Sequence, residues 1–146
     1  IVNSPTFSGT VTAAAFAGPV LLTSLPTSVA TTPIGFVLPG TQAASATFNI
    51  PLATGLIIPA NLAGTVVYDV TQATANAAFV LNSITGGTTI TPIGTITITP
   101  ASHVSATLSV QAATTMAAGD ILQLVAPATP DLTLADVGIS ILAQKV

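Results

Sequence analysis

Apolar residues in this chain come in short runs, each cut off by Thr, Ser, Gly or Pro. Two runs organise the rest, Ile121–Val125 and Val137–Ala143, both inside the stretch Ala117–Ala143. The first follows a reversal at Ala118-Gly119-Asp120. It must stop before Pro127 and Pro130, because proline has no N–H to give to a ladder. Asp131 and Asp136 bracket the connector Leu132–Ala135, which is expected to form one helical turn with Asp131 as its cap. The pattern predicts a strand, a proline-bounded crossover and a final strand.

The same vocabulary recurs upstream. Ile34–Leu38 reads as a strand ending at the turn Pro39-Gly40. Ala43–Ile50 alternates toward its end, with Ala46, Phe48 and Ile50 on one face. Leu56–Ile58 is closed by Pro59, and Asn61–Gly64 is a turn. In Thr65–Val70 alternation sets Asp69 opposite Val66, Tyr68 and Val70, and leaves open which of the two faces is wet. Ala77–Ile84 is a strand ended by Gly86-Gly87. Thr88–Thr99 alternates with Ile96 and Ile98 on one face and Thr95, Thr97 and Thr99 on the other. After a turn at Pro100–His103, Val104–Val110 alternates again, with Val104, Ala106, Leu108 and Val110 expected inward. Roughly eight to ten short strands at this spacing predict an all-β antiparallel sandwich rather than alternating strands and helices. The alanine-rich pieces Thr12–Ala17 and Gln111–Ala117 lack the charge pairs and apolar stripes of stable helices.

The first part of the chain is patterned differently. Residues 1–18 alternate weakly around Phe7, Val11 and Phe16, with too few apolar side chains for a core. Pro19–Leu25 is a short apolar run, and Pro26–Pro33 is a Pro/Ser/Thr-rich connector. The expected organisation is an extended arm or shaft segment over 1–33 and a sandwich over 34–146. The segment Ile1-Val2-Asn3-Ser4-Pro5 has neither the basic nor the apolar region of a signal peptide. With no initiator Met, the chain is expected to be a fragment or a processed product.

Composition sharpens this picture. Half of the 146 residues are apolar, yet only 3% are charged: Asp69, Asp120, Asp131, Asp136 and Lys145, with no Arg or Glu. No uninterrupted apolar run is long enough for a membrane helix. A phosphate footprint or a polybasic membrane patch needs Lys and Arg, so both partner classes are disfavoured. A chain this poor in charge is expected to associate, with sister copies and Thr, Ser, Asn and Gln side chains covering its surface. There is no Cys, so no disulfide contributes to stability.

Candidate chemistry is thin. His103, the only His, lies in the predicted surface turn Pro100-Ala101-Ser102-His103, and one His without Glu, Arg or Cys gives a hydrolytic site little basis. The four Asp lack the dense oxygen spacing of a calcium loop; an inter-chain ion at Asp131 or Asp136 is the weak alternative. Those two could stand at a glycosidase separation, but no Trp is present and Tyr68 is the only Tyr, so a sugar cleft lacks its aromatic platform. Gly86-Gly87 precedes no Lys or helix and reads as a turn, not a phosphate loop. No catalytic, cofactor-binding or metal-ligating residue is assigned.

Three groups of residues carry a resemblance. They are Pro59-Ala60-Asn61-Leu62-Ala63-Gly64, then Ile93-Gly94-Thr95-Ile96, then Ala118-Gly119-Asp120 with Ala126-Pro127-Ala128-Thr129-Pro130-Asp131 and Leu134-Ala135-Asp136. Together they resemble modules near the ends of tailed-bacteriophage tail fibres and related virion surface proteins. The leader Pro5-Thr6-Phe7-Ser8-Gly9-Thr10-Val11 resembles fibre shaft segments. The chain departs from such modules in carrying less charge. The resemblance implies a jelly-roll-like β-sandwich, a place on the virion surface and a homotrimer, and it supplies no functional residues. A structural fibre module contacting other virion proteins or a host receptor is the expected function. A capsid decoration protein and a glycan-binding adhesin are the alternatives, and an enzyme is the most distant one. The loops Thr71–Asn76, Ser83–Thr89 and Pro100–His103 are the expected contact points.

Overall fold

A computed structural model of the chain describes residues 30–100, 103–104, 106–109 and 111–146. The expectations for the N-terminal arm, for Pro19–Leu25 and for most of the connector lie outside the described residues. The ten strands described are β1 (Thr31–Thr41), β2 (Thr47–Pro51), β3 (Leu56–Ile58), β4 (Val66–Thr71), β5 (Ala77–Thr85), β6 (Thr89–Ile98), β7 (Ala106–Leu108), β8 (Thr114–Met116), β9 (Ile121–Val125) and β10 (Ala135–Lys145).

They form two antiparallel sheets of five strands each. In sheet A, β10 is central. It pairs with β1 along one side and, along the other, with β4 near its start and β3 at its end; β3 then pairs with β8. Sheet B runs β2-β9-β5-β6-β7. The two organising runs of the sequence are therefore the inner strands of opposite layers. β9 sits between β2 and β5, and the proline-bounded connector carries the chain across to β10. The ladders are nested: the outer pair β1–β10 lies in sheet A and the inner pair β2–β9 lies in sheet B.

Period-two alternation places the core between the layers. Ile34, Phe36 and Leu38 of β1 and Val137, Ile139, Ile141 and Ala143 of β10 point inward from sheet A. Phe79, Leu81, Ile96, Ile98, Leu122 and Leu124 meet them from sheet B. Prolines fall where a ladder tolerates them. Pro33 lies on the edge strand β1, and Pro92 lies beside the irregularity where β6 slips past Leu81 and Asn82.

Three local expectations are corrected. The connector after Asp131 is a bend rather than a helical turn, and β10 already begins at Ala135. Asp131 still caps, as its Oδ1 accepts from the N–H groups of Thr133 (2.9 Å) and Leu134 (3.2 Å), but the chain leaves directly into a strand. Of the strand expected over Val104–Val110, the described residues place Ala106–Leu108 in a strand, with Val104 in the preceding turn and exposed. The expected loop Ser83–Thr89 is mostly ladder, because β5 and β6 pair out to Thr85↔Thr89 and leave only a tight Gly86-Gly87-Thr88 turn.

Gly94 shows how closely the β6 side is packed. A Cβ there would come 2.5 Å from Gln111 Oε1 and 3.1 Å from Leu62 Cδ1. Gly94→Ala is expected to displace Gln111 and lower stability by about 1–2 kcal/mol, read as a lower urea midpoint at unchanged slope.

Candidate functional site

Each of the candidate polar residues is used by the fold. Asp69 sits on β4 with Val67, facing inward, and Val66, Tyr68 and Val70 face outward. Of the two orientations left open by alternation, the chain adopts the one that buries the carboxylate. His103 makes this tolerable: its Nδ1 lies 2.9 Å from Asp69 Oδ1 and 2.8 Å from the Asp69 carbonyl oxygen. Both neighbours are acceptors, so Nδ1 carries the proton. In return the Asp69 N–H donates to the His103 carbonyl at 3.0 Å, and the imidazole stacks on Tyr68 at 5.9 Å between centroids. His103 is thus more than the simple surface-turn residue expected. Its side chain stays 47% exposed while its nitrogen ties the β6–β7 connection of sheet B onto β4 of sheet A.

Asp69 Oδ2 is buried with no hydrogen-bond partner. A buried carboxylate that also loses its imidazole would have no side-chain partner left. His103→Ala is therefore expected to cost about 1 kcal/mol in chemical denaturation and to loosen the β6–β7 connection, seen as faster hydrogen exchange at the Asp69 amide.

The remaining carboxylates hold backbone. Asp120 Oδ2 accepts from the Ala117 N–H at 2.8 Å and closes the turn before β9. Asp136, at φ +55°, accepts from the Gly40 N–H at 2.7 Å where β1 slips against β10. Asp131 is the most heavily used. Its Oδ2 accepts from the N–H groups of Thr74 and Ala75, both at 2.7 Å, and from Thr74 Oγ1 at 3.0 Å. Its Oδ1 takes the Thr133 hydroxyl at 2.6 Å besides the capping bonds. The Thr133 hydroxyl, helped by the N–H groups of Thr133, Ala75 and Thr74, holds the Asp131 carboxyl well below the usual carboxylate range against a smaller opposing desolvation. The loop Thr71–Asn76, expected as a contact point, is stapled in this way to the β9–β10 connector.

Asp131 and Asp136, weighed as a glycosidase pair, are both occupied by backbone donors. Among the described residues no group of three or more His, Asp or Glu side chains is placed to hold a metal ion. Sheet B carries an amide ladder across three strands. Asn82 Nδ2 donates to Gln123 Oε1 and Gln123 Nε2 donates to Asn49 Oδ1, each at 3.0 Å, on the face opposite Leu122 and Leu124.

Among the described residues two open grooves stand out. One is a groove of about 360 Å³ beside β6 with a lining as much apolar as polar, formed by Thr95, Ser109, Gln111 and Thr114 together with Pro92 and Ile93. Asn61 shapes it, exchanging hydrogen bonds with the Gln111 backbone in both directions. The other is a shallow apolar groove of about 290 Å³ on the outer face of sheet A, lined by Val37, Val66, Tyr68, Gly138 and neighbours. Sequence reading missed both. The first depends on which residues β6 and the Gln111 segment bring together. The second was signalled only by glycines inside the strand patterns Ile34–Leu38 and Val137–Ala143.

These features define an all-β protein of two antiparallel sheets whose carboxylates fix the connections between strands. No protein-family model, curated protein or solved structure gives this chain a significant match.

Proposed function

We propose that this chain is a non-enzymatic structural module of a virion: a β-sandwich of a phage tail fibre or surface fibre, assembled from several copies and exposed to a host receptor. The observation that carries the reading is the nested strand order. Pairing β1 with β10 in one sheet and β2 with β9 in the other, with the intervening strands filling both sheets, is how a jelly roll is wired. That wiring serves viral capsid and lectin domains alike. The residue-level resemblance to fibre-end modules points the same way, and the scarcity of charge supports assembly from several copies. Asp69, Asp120, Asp131 and Asp136 all serve as hydrogen-bond acceptors within the fold, so a hydrolytic role finds no free acid or base among them.

The mechanism is physical. Inward Val, Ile, Leu and Phe make a dry core, carboxylates fix the connections, and the surface offers shape and hydrogen bonds. An antibody raised against residues 30–146, applied to phage particles that carry the chain, is expected to decorate fibre ends in electron micrographs. Labelling confined to the capsid lattice would instead favour a decoration protein. Absence of label from intact particles would overturn the reading.

The groove at Thr95, Ser109 and Gln111 favours a second reading, a glycan-binding adhesin. It offers hydroxyl and amide groups without an aromatic platform, so weak binding of uncharged saccharides is the expected form. A glycan array probed with the assembled protein tests it.

A further inference from the structure

We propose that the outer face of sheet A is where a second copy of this chain packs, with Gly35 and Gly138 as the floor that receives it. The inference rests on the assembling, structural reading above and names the surface that assembly uses.

The face spans β1, β10 and β4 in continuous register. Val37 lies opposite Gly138, which lies opposite Tyr68; one step along, Gly35 lies opposite Ser140, which lies opposite Val66. Val37 is 82% exposed, and Val66, Tyr68 and Val70 are each more than half exposed. Elsewhere on the described surface, large exposed apolar residues occur in turns, on other strands or at the chain end, as with Val104, Ile90 and Val146. Only here do four lie on one face of a sheet, on the two strands that flank β10. A contiguous apolar patch of this kind marks an interaction site.

The glycines are an independent observation. Glycine inside a strand costs stability and leaves nothing to pack, so its presence needs a reason. The fold supplies none here. Neither Gly35 nor Gly138 has a positive φ. A Cβ on Gly35 would meet nothing within 4 Å, and one on Gly138 would meet only the Tyr68 carbonyl oxygen at 3.9 Å. What the two glycines do provide is a trough between Val37 on one side and Val66 and Tyr68 on the other, open for another surface to approach the backbone.

Charge identifies the occupant. The trough offers no ionic group, so a charged partner would bury its charges without compensation. The matching surface must be apolar and hydroxyl-bearing. This chain presents such a surface: of its five charged residues, Asp69 and Asp120 are buried, Asp131 and Asp136 accept from backbone N–H groups, and Lys145 lies at the far end of β10. A stable contact buries about 800 Å² on each partner. The packing therefore extends beyond the trough, across Val70 and the exposed side of β1.

The test uses the full chain. Analytical ultracentrifugation is expected to show an oligomer, and Val37→Lys and Gly138→Leu are each expected to shift it to monomer by about tenfold or more in dissociation constant. Leu132→Lys, at an equally exposed apolar residue in the β9–β10 connector, should leave assembly unchanged. Hydroxyl-radical footprinting of the unaltered chain supplies a readout that needs no variant: Tyr68 is expected to be protected when the protein is concentrated and labelled when it is dilute. An oligomer indifferent to both substitutions, with Tyr68 labelled throughout, overturns this face and leaves the assembling module standing. A chain that sediments as a monomer at every concentration overturns both.

Discussion

Phe79→Ala is expected to lower the unfolding free energy by about 3–5 kcal/mol, the range for removing a large buried aromatic side chain. Phe79 is fully buried on β5, the strand that joins β9 to β6 in sheet B. Its neighbours on the inward face are aliphatic: Leu81 on its own strand and Ile96 opposite it on β6, with Ala77 and Leu134 lining a small cavity beside it. Aliphatic side chains held on two ladders cannot collapse into the space a phenyl ring leaves. The cost is therefore both lost transfer free energy and a persistent cavity. No disulfide supplements the core. Losing this much from a net stability that for a domain is typically about 5–15 kcal/mol leaves a marginal protein. Thermal and urea unfolding of the variant, compared at equal protein concentration, provide the measurement. A change below about 1 kcal/mol would mean that the two layers do not pack tightly across Phe79.

Two-layer architecture was legible because strand periodicity is a strong signal when each strand buries one face. Ile121–Val125 and Leu56–Ile58 match their strands end to end, and Ile96 and Ile98 point inward as their alternation with threonine requires. Alternation says nothing about which face is inside, and Asp69 shows the consequence. On β4 valines occupy both faces, so parity alone could not place the carboxylate. The deciding contact comes from His103, on a connection between two strands of the other sheet. The missing helical turn after Asp131 has a similar cause. A carboxylate that accepts from Thr133 and Leu134 looks like a cap in sequence, but the same group also holds Thr74 and Ala75, more than fifty residues away. Long-range donors of this kind leave no local pattern. The apolar groove was hidden for the opposite reason: a mid-strand glycine in Ile34–Leu38 reads as a weakness until register sets it diagonally to Gly138.

Asp131→Ala is expected to free the loop Thr71–Asn76 and to cost about 2–3 kcal/mol. A carboxylate that accepts from several N–H and hydroxyl donors contributes on this scale even where water at the surface weakens each bond. The N–H groups of Thr74, Ala75, Thr133 and Leu134 all lose an acceptor, and the β4–β5 and β9–β10 connections lose their shared anchor. Hydrogen exchange at these four amides is expected to rise together while the Phe79 and Ile141 amides of the core ladders stay protected, a local opening rather than global unfolding. Asp131→Asn keeps one acceptor oxygen and loses the charge, so it should fall between wild type and alanine. The pH dependence follows from the direction of the shift. The folded carboxyl is held below its ordinary value, so its contribution is fully present above the unfolded value of about 3.9. As pH falls below about 4 the unfolded chain takes up the proton first, and the contribution fades until the folded carboxyl is protonated too. Stability of the wild-type chain should therefore decline below about pH 4 more steeply than that of Asp131→Ala. Equal acid slopes for the two proteins would show that the four backbone donors are not held by this carboxylate in solution.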